Sequence, residues 1–253
     1  SHDVKARRIR HPEPEHWIYA LVTLQTMEGF LGRGNYGVVR MNGGFGNRPL
    51  VGLSPDLSWG EHFRRDVDVL LSERDALSGR YTLDGPALLW TRPWDGAKDR
   101  AIPLADCDPY FLEICRRIRF QKDGGDLTCW RANTKGQRVD APDSLNGDTG
   151  DPWTPIEKSS GKALTLPGEG FTYDRLQDIV FEGEYAQPPA LQFRDSDGGY
   201  MYVVARALVR GQGKTEGLHH RIVPVPDSAS GWLREKSRRE RLGESARDRV
   251  EIV

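Results

Sequence analysis

Long apolar runs are missing from this chain. No stretch of its 253 residues approaches the ~20 consecutive apolar residues of a membrane-spanning helix. No signal-peptide pattern opens the sequence, so a cytoplasmic protein without a membrane partner is expected. Cysteine is scarce. Cys107, Cys115 and Cys129 are odd in number, and no two of them have the two-residue spacing of a zinc knuckle. That argues against a disulfide framework and for reduced thiols. Catalytic signatures are missing as well. There is no H-E-x-x-H and no G-x-S-x-G, and a Walker A loop ending at Gly213-Lys214-Thr215 would need glycine where Leu208 stands. His219 and His220 are adjacent, so in a strand they point to opposite faces and do not ligate one metal together. Asp106, Asp108 and Glu113 lie near Arg116 and Arg117, and structural ion pairs are the reading for them. No catalytic group, metal or cofactor is assigned, and a non-enzymatic protein is expected.

Glycine and charge are what the sequence does have. With 28 Gly and 16 Pro, about one residue in six is a turn former, against about one in eight in average usage. The net charge of −1 conceals a local pattern. Between residues 116 and 138 seven Lys/Arg face only Asp123 and Asp126, and residues 234–249 carry seven Lys/Arg against four acids. A polyanion needs only a local basic face, so a neutral total is compatible with nucleic acid. Arg116, Arg117, Arg119 and Lys122 are therefore candidates for contact with nucleic acid or a neighbouring subunit, set against the plainer alternative of a solvated face.

The periodicity predicts helices over 15–28 and 58–77, separated by a glycine-rich loop over 29–52. In the second helix Trp59, Phe63, Val67, Leu70 and Leu71 form the apolar stripe, with Arg64, Arg65, Asp68 and Glu73 facing away. Residues 83–92 read as extended, and 114–121 as a strand entering a turn at Asp123-Gly124-Gly125. Loops are expected over 133–170 and a short helix over 171–181. Extended runs at 190–193 and 200–209 are expected to form a hairpin through residues 195–199, followed by a loop over 211–217 and a charged helix from 228. The pattern is α+β, and the abrupt ends suggest a segment of a longer protein. Residues 32–37 match G-x-G-x-x-G, but a helix precedes them where a dinucleotide site needs a strand. A loop that brings its backbone close to a partner fits better. Gln212 stands between two glycines, where a tight turn can project one planar amide.

Several strings occur together in one order: LQTMEGF, GRGNYG, RMNGG, WGEHFRRDVDVLL, ALLWTRPWDG, DPYFLEICRRIRF, GDPWTP and VRGQGKTEGLHHR. Together they resemble the CasA-type large subunit of the type I-E CRISPR Cascade complex, over about residues 2–221. The resemblance implies a large mixed α/β N-terminal domain over 1–226 and the start of a C-terminal helical bundle over 227–253. It implies a role in antiviral defence: binding double-stranded target DNA, reading the protospacer-adjacent motif (PAM) from the minor groove and starting R-loop formation. The implied partners are target DNA, guide RNA, other Cascade subunits and a helicase-nuclease effector.

By the same resemblance the glycine loop places Gly32, Gly34 and Asn35 at the motif. A lysine finger falls on Lys158 or Lys162, and a glutamine wedge on Gln212 with Gly213 and Lys214 beside it. A leading loop over residues 2–10, including Lys5, would touch neighbouring subunits and RNA. Some relatives carry a cysteine-rich zinc ribbon after DPYFLEICRRIRF. Here KDGGDLTCW lacks the cysteine pairs, so no metal is carried over. The minor groove offers mainly an A·T-versus-G·C code, which suits short recognition beside a long sequence read by base pairing. Two other classes compete: a nucleotide-dependent or hydrolytic enzyme using the glycine loops, and a general RNA-binding scaffold.

Overall fold

A computed structural model describes residues 13–26, 47–112, 117–211 and 214–250. In chain order they form α1 (Pro14–Thr26), β1 (Leu50–Ser54), α2 (Trp59–Glu73), β2 (Ile102–Pro103), β3 (Arg117–Asp123), β4 (Asp126–Ala132), β5 (Val139–Asp140), β6 (Ile156–Glu157), α3 (Tyr173–Val180), β7 (Tyr185–Ala186), β8 (Met201–Gly211), β9 (Lys214–Val225), α4 (Asp227–Arg234) and α5 (Lys236–Val250). The fold is mixed α+β. No helix among the described residues is long and apolar enough to cross a membrane.

The chain divides into two compact units, both discontinuous. The first comprises Ser1–Gly46, Leu77–Pro142 and Gln212–Thr215. The second comprises Asn47–Ala76, Asp143–Gly211 and Glu216–Val253.

The second unit is built on a three-stranded sheet in the order β1-β8-β9. β1 runs antiparallel to β8, with Val51 opposite Ala205 and Leu53 opposite Val203. These four residues, with Met201, Ala207 and Val209, lie on one face and are buried, the period-two pattern of a strand with a core-facing side. Leu166, Phe171, Ile179 and Leu233 complete that core. The sheet's other face is covered closely at one point. A Cβ on Gly52 would lie 3.2 Å from the Ala190 Cβ, so glycine allows the 189–191 turn to sit on β1.

α2 starts where Ser58 caps it, its hydroxyl accepting the Glu61 N–H at 3.3 Å. Its buried positions are Arg65 and Val69, while Trp59, Phe63 and Leu71 are exposed. The expected stripe holds only in part: Val67 and Leu70 are half-buried and Arg64 and Asp68 face out as expected, but Arg65 turns inward. The cause is a specific ion pair. Arg65 Nε and one Nη donate to the two Asp197 carboxylate oxygens at 2.8 and 2.9 Å. The remaining donors reach the carbonyls of Leu53, Ala190 and Gln192 at 3.2, 2.8 and 2.9 Å. A fully satisfied guanidinium is stable inside, and it turns this face of α2 toward the sheet.

α4 and α5 close the same core through Leu233 and the partly buried Leu242. Gln177 of α3 donates to the Gly243 carbonyl of α5 at 3.1 Å, and Arg239 pairs with Glu182. Arg234 donates to the Arg194 and Asp197 carbonyls, both at 2.8 Å.

The first unit has little regular structure. Leu89, Cys107, Phe111 and Val139 are its most buried apolar residues. β2 and β5 pair in parallel, and β3 and β4 form a hairpin through Gly124 and Gly125, both at positive φ (59° and 109°). Glycine is the residue that such turn positions favour.

Other expectations are corrected. The end of the predicted glycine loop is β1, because residues 50–54 bury an apolar strand. Residues 83–92 contain a short 3₁₀ turn (Leu89–Thr91) and no extended strand. Residues 190–193 do not pair with β8, since Pro188 and Pro189 start a 3₁₀ turn there. Within the predicted 211–217 loop Gly211 ends β8 and β9 begins at Lys214. The predicted C-terminal helix is two helices, α4 and α5, which break at the extended Glu235 (φ −97°, ψ 122°). β4 was not anticipated.

Candidate nucleic-acid interface

Three elements carry the described candidate residues. The first is the hairpin β3–β4. Its register sets Arg117 opposite Ala132, Arg119 opposite Trp130 and Gln121 opposite Thr128. These residues share one face, and cross-strand partners on one face are in contact range. Ile118, Phe120, Leu127 and Cys129 share the other face, with Arg131 opposite Ile118. Phe120 meets Trp17 of α1 edge-on, with ring centroids 5.9 Å apart. The hairpin is therefore two-sided, with an apolar face toward α1 and a face of arginine and tryptophan. Alternation sets Lys122 on the Phe120 side, away from Arg117 and Arg119.

A groove of about 740 Å³ opens beside the arginine-tryptophan face. Trp90 lines it from the 3₁₀ turn, Arg92 and Trp94 from the segment after that turn, and Arg119, Trp130 and Arg131 from the hairpin. Among the described residues no acid is part of its lining. Trp90 is 47% exposed and Trp130 67%. Trp130 Nε1 donates to the Gln121 side chain, which fixes the ring. Trp94 donates to the Ala97 carbonyl at 3.2 Å and carries the Arg138 guanidinium 5.5 Å from its ring centre. Asp95 stands beside this groove. The Ala97 N–H holds its carboxyl below the usual range, and the charges of Arg100 and Arg117 add to that effect against its slight burial. Arg92, Arg119 and Arg131 have no ion pair among the described residues.

The second element is the turn after β6. The Glu157 N–H donates to the Lys162 carbonyl at 2.9 Å and the Gly161 N–H to the Glu157 carbonyl at 2.8 Å, with Gly161 at φ 67°. This tight turn displays Lys158 and Lys162 differently. The Lys158 ammonium donates to the Glu182 carbonyl at 2.6 Å and is held against the protein. Lys162 is exposed, and its side chain makes no hydrogen bond or ion pair among the described residues.

The third element is the strand pair β8 and β9, of 11 and 12 residues. They are neighbours in the sheet, and only residues 212–213 connect them. At ~3.3 Å per residue each strand spans roughly 35–40 Å. Lys214 is the first residue of β9.

Gln212 and Gly213 lie outside the described residues, as do Lys5, Gly32, Gly34, Asn35 and Arg116. Of the remaining candidates the structure brings Arg117 and Arg119 together, and it adds residues that the sequence reading passed over: Trp90, Arg92, Trp94, Trp130 and Arg131. The signal for Trp130 was present. A strand running into Asp123-Gly124-Gly125 implies a partner strand, and counting back across a two-residue turn sets Trp130 against Arg119. The Trp90 and Trp94 contribution had no local signal, because long-range packing brings it there. Among the described residues no group of three His, Cys, Asp or Glu side chains is arranged to hold a metal ion.

No protein-family model matches the chain, and no curated protein matches it.

Proposed function

We propose that this chain is a DNA-recognition subunit of an RNA-guided surveillance complex of the Cascade type. In this reading it engages double-stranded target DNA and reads the PAM from the minor groove through Gly32, Gly34 and Asn35. It then starts unwinding with Gln212, flanked by Gly213 and Lys214. Guide RNA and neighbouring subunits meet it through Lys5 and the basic segment from Arg116, and a helicase-nuclease effector is recruited once the R-loop forms. The finer architecture in this proposal is the family's large mixed N-terminal domain followed by the first helices of a bundle.

The observation that carries the proposal is the connection between β8 and β9. β8 and β9 are long and neighbours in the sheet, and Gln212 falls between them in the sequence, which supports a wedge role for it. A wedge needs the backing of such strands, because unstacking a base step costs a few kcal/mol. The turn after β6 supports Lys162 over Lys158 as the lysine finger, since the Lys158 ammonium is already engaged.

Permanganate footprinting of the first protospacer pairs tests the proposal. On a PAM-bearing duplex Gln212→Ala is expected to lose reactivity of those pairs while retaining initial binding, and pre-opened DNA is expected to rescue it. R-loop exchange is nearly balanced in energy, so a loss of about 1.4 kcal/mol at the first step slows opening about tenfold. Equal footprints for wild type and variant would remove the wedge.

A further inference from the structure

Reading a duplex from its minor groove makes no use of the arginine-tryptophan groove of the first unit. We propose that this groove binds a single strand of nucleic acid, with bases stacked on Trp130 and Trp90 and phosphates paired with Arg119 and Arg92.

Three features converge on that ligand. The first is charge. Among the described residues the lining includes four arginines and no acid, and the Asp95 carboxylate lies beside Arg117. Its natural complement is a polyanion. The second is the indoles. Trp90 and Trp130 lie 47% and 67% exposed beside the arginines, in a position where burying them would favour folding. The hydrogen bond to Gln121 orients Trp130, so its ring is fixed before any ligand arrives. The third is spacing. Arg119 stands directly across from Trp130 in the hairpin register, which sets a cation next to a stacking platform.

Alternating π-faces and cations match a strand whose bases are free to turn outward. A duplex buries its base faces against one another and cannot offer them to an indole without unstacking. An acidic peptide would satisfy the arginines and leave both indoles wet. The inference stands on the groove alone and does not depend on PAM reading.

The test uses the whole chain with fluorescein-labelled 15-mers of dT and rU and a 15-base-pair duplex, read by anisotropy and by quenching of tryptophan fluorescence. Both single strands are expected to bind, to quench, and to bind with similar affinity, because neither stacking nor phosphate pairing reads the sugar. Trp130→Ala is expected to weaken single-strand binding by about 5- to 150-fold, the range for loss of one stacked base. Trp130→Phe is expected to recover most of it, which also controls for folding. Arg119→Ala and Arg92→Ala are each expected to reduce the log–log salt slope by about 0.7.

No binding of either 15-mer would overturn the proposal. So would equal affinity of Trp130→Ala and wild type, binding confined to one sugar type, or a duplex bound as tightly as the single strands. Gln212→Ala is expected to keep full single-strand affinity, and Trp130→Ala to keep PAM preference, so either reading can fail without the other.

Discussion

Arg65 and Asp197 show how one pair of side chains decides the attitude of a helix. Burial alone would push the Asp197 carboxyl up. Hydrogen bonds from the Arg65 side chain and the Arg194 N–H, with the charges of Arg65 and Arg234, outweigh it and hold the carboxyl below its ordinary value. The folded pKa is thus below the unfolded one, near 3.9. The stabilisation is complete above about pH 4 and is lost as pH falls through the folded value. Arg65→Ala leaves a buried carboxylate without its partner and is expected to cost about 3–5 kcal/mol, measured by urea unfolding at pH 7. The deficit should shrink in acid as Asp197 protonates. Asp178 behaves in the opposite sense. Burial comes first, and the charges of Glu184 and Asp174 add to raise its carboxyl, against Arg247. Its protonated form favours the fold, so its contribution is lost as pH rises through the raised value. Asp178→Asn is expected to raise Tm at pH 7, and that gain should vanish by about pH 3, below the unfolded carboxyl pKa. A thermal melt at each pH reads both.

At the scale of elements, the glycine-rich segment before β1 is where backbone approach to DNA is proposed. Gly34→Val is expected to weaken discrimination between duplexes with and without the PAM while Tm changes little, since a branched Cβ blocks close approach. A competition binding assay beside a thermal melt separates that outcome from a structural role. The elements also differ in how far the sequence disclosed them. α1, α2, α3 and β3 were legible in the sequence, and the structure adds that Ser58 and Thr172 cap α2 and α3. The inward face of α2 did not follow, because hydrophobic patterning places Arg65 outside. Only its partners, more than a hundred residues later, make the inside tolerable. β9 was hidden by Gly217 and by Pro224, marks of an edge strand that also read as a loop. In the candidate interface the basic run was legible and its aromatic half was not, since Trp90 and Trp94 reach the hairpin only through folding.

At the scale of the whole molecule, the two units rest on different kinds of core. The second has a continuous apolar cluster beneath its sheet. The first depends on close backbone packing, with a Cβ on Gly85 falling about 2.5 Å from the Asp106 carbonyl oxygen. Gly85→Ala is therefore expected to destabilise by about 1–3 kcal/mol, the range for overpacking. Hydrogen exchange should place the loss of protection in residues 77–142, whereas Arg65→Ala should place it in β1, α2 and β8. A shared pattern for both variants would mean that the chain unfolds as one cooperative body.

The ligands of Arg65 also impose a schedule on synthesis. Asp197 follows Arg65 by 132 residues. A ribosome adding about 5–20 residues per second needs roughly 7–26 seconds to supply it. For that interval α2 cannot seat its arginine side. The nascent helix must keep the side that it later buries, Arg65 and Val69, in water. The last partner to emerge, not the helix itself, sets the moment at which this part of the chain becomes safe.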